Sequence, residues 1–94
     1  HDAWRTVQRG HAIANSAYVC AVNRAGEEGE LKFWGGSFVC DAFGKIIAEA
    51  GDGDETIVAD LDMTLNSFVR DGWGFFRNRR PESYNLITDP EKNK

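Results

Sequence analysis

The run AYVCAVN at positions 17–23 constrains this chain more than any other feature. It is continuously apolar and rich in β-formers, so it reads as a strand buried on both faces. Such a strand is too apolar for an exposed sheet edge, and layers on both sides must cover it. The rest of the sequence offers little cover. The chain has 94 residues, 41% of them apolar, and a chain this short buries only about 60–65% of its unfolded surface. The first expectation is therefore an incomplete domain.

The remaining segments predict an α/β order. DAWRTVQRGHAIANS (2–16) reads as a helix, with Trp4, Val7, His11 and Ala14 on one face. Gly10, Ala14 and Ala17 add a stripe of small residues that permits close packing. RAGEEGEL (24–31) reads as a loop, and FWGGSFVCD (33–41) as a second strand in which Gly35 and Gly36 mark a bulge or close approach. AFGK is a tight turn, KIIAEA (45–50) a third strand, GDGDE a turn and TIVADLD (56–62) a fourth strand. Asp62 caps a helix over 63–71, which Gly72 and Gly74 end. Pro81 stops any helix through WGFFRNRRPESY. The expected organisation is one domain over residues 1–84 and a flexible tail over 85–94.

Charge and composition exclude several functions. The formal net charge is −4, which argues against nonspecific nucleic-acid binding. Arg70, Arg77, Arg79 and Arg80 cluster near the end, and Glu27, Glu28, Glu30, Asp52, Asp54 and Glu55 occupy two turns. Runs of this kind are ordinarily solvated surface. No apolar run approaches the roughly 20 residues of a membrane helix. With two cysteines and no secretory leader in the sequence given, the expectation is reduced thiols in the cytoplasm.

The chemistry-bearing residues each have a plain structural reading. Cys20 and Cys40 lie mid-strand among apolar residues, where burial raises a thiol pKa; a nucleophile needs it lowered. His11 has the right intrinsic pKa for acid–base work, but it sits on the helix face expected to pack, as a core or interface histidine. Asp60 and Asp62 share a strand face, yet a cap and a strand-end charge explain them without a metal. Gly35-Gly36-Ser37 lacks the spacing and lysine of a phosphate loop. No metal and no cofactor is expected.

Four segments, in order and spacing, together resemble the nitrilase superfamily of carbon–nitrogen hydrolases. They are WRTVQRGHAIAN (4–15), VNRAG (22–26), FWGGSFVCDAFGKIIAEA (33–50) and WGFFRNRRPESY (73–84). Within the superfamily they are most similar to the last third of the N-carbamoylputrescine amidohydrolases. Three positions depart from that pattern: Arg9 stands where glutamine is usual, Gly36 where serine is usual, and Ala42 where proline is common.

The resemblance implies a four-layer α-β-β-α sandwich, of which this chain supplies the C-terminal portion. It implies a cysteine nucleophile, a glutamate that moves protons and a lysine that stabilises the oxyanion, all of them N-terminal to these residues. No catalytic residue is then expected in the chain, which alone would be inactive. Trp34 and Ser37 would line the substrate region, with His11 a third candidate. Gly10, Ala14, Trp73, Phe75, Phe76, Arg77, Arg79 and Arg80 would serve a subunit interface in a homo-oligomer. The implied reaction is hydrolysis of N-carbamoylputrescine to putrescine, carbon dioxide and ammonia. The neighbouring readings are a β-ureidopropionase-like or ω-amidase activity and, from another class, a non-catalytic module that self-associates or binds a partner.

Overall fold

A computed structural model describes residues 2–91. It opens on helix α1 (Asp2–Asn15). The helix ends in a tight reversal. The Ala17 amide donates to the Ala12 carbonyl at 3.0 Å and the Ser16 amide to the Ile13 carbonyl at 3.2 Å. Ser16 takes the left-handed conformation at φ 51° that this closure requires. Ser16 is also buried, so the reversal is held inside the structure.

Helix α1 lies on a three-stranded antiparallel sheet in the order β1-β4-β5. Its strands are β1 (Val19–Ala21), β4 (Phe38–Cys40) and β5 (Ile46–Glu49). Cys20 pairs with Val39, and a register irregularity follows at Val39/Cys40. The core is small: Ala12, Ala21, Phe38 and Cys40 are buried, with Trp4, Val19 and Ile46 packed around them. Phe38 fills its centre. Trp4 meets it edge-on at 5.6 Å, and the Arg5 guanidinium lies 5.1 Å from its ring centre. Arg5 also bonds Glu49 of β5 at 2.5 Å.

The helix is rotated from the expected face. Ala12 points at the sheet, because its small side chain lets the helix approach closely. Of Trp4, Val7, His11 and Ala14, only Trp4 packs; Val7 is 55% exposed, and His11 and Ala14 are exposed. The opposite face of the sheet is open. β1 is accordingly buried on one side only, and Cys20 is exposed. Two expectations are corrected here: β1 is not covered on both faces, and His11 is not a core histidine within these residues. His11 stands exposed on the surface of α1, and the outer face of β1 is bordered by Glu55 and Ile57 across an open cavity rather than covered by a packed layer.

The region expected to be a loop instead forms a hairpin. Strands β2 (Ala25–Glu28) and β3 (Leu31–Trp34) pair as a separate two-stranded sheet. Glu28 faces Leu31 across a two-residue turn at 29–30, with Gly29 at φ 61°. The single strand expected over 33–41 is divided between β3 and β4. Gly35 and Gly36 have φ of 63° and 73°, which no continuous strand can accommodate. At Gly35 a Cβ would stand 2.8 Å from the Gly51 carbonyl oxygen, so only glycine fits there.

The 41–45 turn forms as expected. The Asp41 carboxylate accepts from the Phe43 and Lys45 amides at 2.9 and 3.0 Å. Arg9 donates from Nε to the Gly44 carbonyl at 2.6 Å, tying α1 to the turn. The fourth strand expected over 56–62 is not formed. That segment pairs with no strand edge, and Val58 is 85% exposed. It is anchored at its end, where the Asp62 amide donates to the Tyr18 hydroxyl at 3.0 Å.

Helix α2 (Thr64–Trp73) follows. Asp62 receives its first-turn groups: the Thr64 amide donates at 3.1 Å and the Thr64 hydroxyl at 2.6 Å. These bonds hold the Asp62 carboxyl below its ordinary pKa. The helix runs through Gly72 and stops at Gly74, whose left-handed φ of 67° closes the last turn onto the Arg70 carbonyl. Arg70 donates to the Asn15 carbonyl at 3.2 Å, placing a cation at the C-terminus of α1. A 3₁₀ turn at Pro81–Ser83 and the short helix α3 (Asn85–Thr88) complete the described chain. Part of the tail expected over 85–94, residues 92–94, lies outside the described residues.

Candidate functional site

The end of β1, the start of β2, the β3–β4 joint and the 51–55 turn enclose a half-open cavity of about 390 Å³. Its polar groups are Asn23, Arg24, Ser37, Asp54 and Glu55, set among the backbone of Gly35, Gly36 and Gly51. Each arrives there for a local reason. Asn23 follows the strand whose ladder ends at Ala21. Its amide donates to the Ser37 hydroxyl at 2.7 Å, and that hydroxyl donates back to the Asn23 carbonyl at 3.2 Å. Asn23 Nδ2 donates to the Gly35 carbonyl at 2.8 Å. The Gly36 amide donates to the Gly51 carbonyl at 3.1 Å, and the Ala50 amide to the Ser37 carbonyl at 2.8 Å. Three segments distant in sequence are thus knotted at one point.

The charges around the cavity are unequal. The Arg24 guanidinium bonds Glu28 and lies 4.2 Å from the Phe33 ring centre, so it is engaged by the hairpin. Glu55 Oε2 accepts from the Gly51 amide at 2.9 Å. Two carboxylates, Asp54 and Glu55, line the cavity beside the one guanidinium of Arg24. What this arrangement can do is hold a small polar molecule through fixed backbone and side-chain groups, with a bias toward a cationic end.

Of the three substrate-region candidates, only Ser37 lines this cavity. Trp34 packs edge-on against Trp4 at 5.1 Å on the core side, and His11 stands on the outer surface of α1. The structure does not bring the three together. Asn23 and Arg24 carried a sequence signal, the VNRAG motif, without an assigned chemical role. Asp54 and Glu55 read only as turn residues, because the approach of that turn to Gly35 is a tertiary event.

The two cysteines differ. Cys40 is buried, and burial pushes its thiol pKa up, against a smaller lowering by the hydrogen bond with the Val19 backbone. That environment suits a packed thiol and opposes a nucleophile. Cys20 is exposed on the open sheet face. Among the described residues no group of three His, Cys, Asp or Glu side chains converges as a metal site would, and no helix is long and apolar enough to cross a membrane.

The interface candidates are exposed in this chain, apart from the half-buried Phe76. Gly10 meets no atom within 4 Å at the position a Cβ would take, and Ala14 is likewise open. In the tail, Trp73 stands edge-on between Phe43 at 5.9 Å and Phe75 at 5.4 Å. The Arg70 and Arg79 guanidiniums lie 5.2 and 5.3 Å from the Phe76 ring centre. Arg77 donates to the Asp71 carbonyl at 3.2 Å and Arg79 to the Phe76 carbonyl at 3.0 Å. The Arg80 amide donates to the Tyr84 hydroxyl. Several of these arginines therefore fold the tail on itself.

The profile of the carbon–nitrogen hydrolase family matches residues 1–70, and the chain belongs to this family, within the nitrilase superfamily. It is 38% identical to the N-carbamoylputrescine amidase of Arabidopsis thaliana, covering 98% of this chain and 34% of that protein. It is 41% identical to the citrullinase of Francisella tularensis, covering 92% of this chain and 32% of that protein. The crystal structure of a carbon–nitrogen hydrolase from Helicobacter pylori G27 superposes with a TM-score of 0.88 at 40% identity, over 95% of this chain and 33% of that one. The chain spans about a third of the length of the relatives it matches.

Proposed function

We propose that this chain is the C-terminal part of a hydrolase that cleaves a C–N bond in a linear carbamoyl or amide compound, with N-carbamoylputrescine as the substrate. The products are putrescine, carbon dioxide and ammonia. The observation that carries this reading is the 38% identity to an N-carbamoylputrescine amidase across nearly the whole chain. Residues 1–84 contribute the last strands and helices of a four-layer α-β-β-α sandwich. The cysteine, glutamate and lysine that perform the chemistry come from the rest of the parent protein, so the chain alone is inactive. The parent acts in the cytoplasm as a homo-oligomer. The exposed stripe of α1 and the aromatic tail meet a second subunit.

The charge of the cavity supports a cationic substrate tail. An alkylammonium end calls for carboxylates or aromatic faces, whereas a carboxylate end calls for an available arginine. Asp54 and Glu55 meet the first requirement, and the engagement of Arg24 by Glu28 works against the second. The neighbouring reading, a β-ureidopropionase-like or ω-amidase activity, draws its support from the presence of Arg24 in the cavity wall.

The test is a comparison of kcat/KM for N-carbamoylputrescine, 3-ureidopropionate and an ω-amide on the parent enzyme. Glu55→Gln with Asp54→Asn should raise KM for the cationic substrate by roughly tenfold, the equivalent of about 1.4 kcal/mol of binding, and leave its kcat nearly unchanged. Preference for 3-ureidopropionate in the unmodified enzyme would reject the substrate assignment.

A further inference from the structure

We draw no further inference here: the strongest candidate, the open apolar face of the β1–β4–β5 sheet with its cavity of about 310 Å³ lined by Cys20, Phe38, Val39 and Ile57, carries nothing because nothing in the structure shows what covers it.

Discussion

Isolating residues 1–94 from any other polypeptide should leave a chain that cannot hold this fold as a stable monomer. The magnitude follows from its surface. The structure exposes 7007 Å², whereas a compact monomer of this mass exposes roughly 5,400 Å². The excess is roughly 1,600 Å². If about half of it is apolar, leaving it in water forgoes on the order of 20 kcal/mol of burial at about 25 cal/mol per Å². A chain of this length ordinarily has a net stability of only about 5–14 kcal/mol. The shape agrees: the radius of gyration is 17.3 Å, against about 12 Å for a compact domain of this length. The exposed apolar side chains are specific ones, among them Val22 at 85%, Phe68 at 74% and Val58 at 85%. The assay is light scattering after gel filtration, combined with a thermal melt followed by near-UV circular dichroism. The expected result is self-association or a broad, weakly cooperative melt with early dye binding. A monodisperse 10.5 kDa monomer with one sharp transition would refute the reasoning.

Three further outcomes are expected. In the parent enzyme, Phe38→Ala should cost about 3–5 kcal/mol by denaturant titration, because Phe38 is 1% exposed at the centre of the core; a loss under 1 kcal/mol would mean that α1 and the sheet do not depend on it. Replacing Cys20 and Cys40 together with alanine should leave kcat within a factor of about three in any protein that still folds, since Cys40 is a buried, packed thiol and Cys20 lies outside the candidate site, and loss of turnover in a folded variant would identify a misplaced nucleophile. Asp62 has a lowered pKa in the folded state, so its contribution to the start of α2 is present above the ordinary aspartate value of 3.8 and is lost as pH falls through the lower folded value. Asp62→Asn should therefore flatten the acid limb of stability against pH, and an unchanged limb would show that the carboxylate contributes nothing there.

Local chemistry made much of this structure readable from residues alone. The helix over 2–15 and the Asp41–Lys45 turn depend on neighbours a few positions away and appear where expected; Asp62 holds the Thr64 amide from one residue before the N-cap, which is Met63. The failures share a cause. The hairpin β2–β3 hides in a glutamate-rich stretch, because its strands are exposed and carry no apolar alternation. The segment expected as a strand over 56–62 joins neither of the edges that β1 and β5 present. On α1 the apolar spacing of Trp4 and Val7 points to a different face from the one that packs, because the small Ala12 decides how close the helix can lie. The candidate site was legible only at Ser37 and, as a motif without a role, at Asn23 and Arg24. Asp54 and Glu55 reach the cavity through the contact of Gly35 with Gly51, which sequence spacing does not encode.

The central claim is that these residues act only as part of a longer carbon–nitrogen hydrolase. The most direct measurement is ammonia release from N-carbamoylputrescine by the 94-residue chain alone, beside the parent polypeptide at equal molarity. The account predicts steady turnover by the parent and none above buffer by the isolated chain. Turnover by the isolated chain at the parent's rate would contradict it, since the catalytic groups would then lie within residues 1–94.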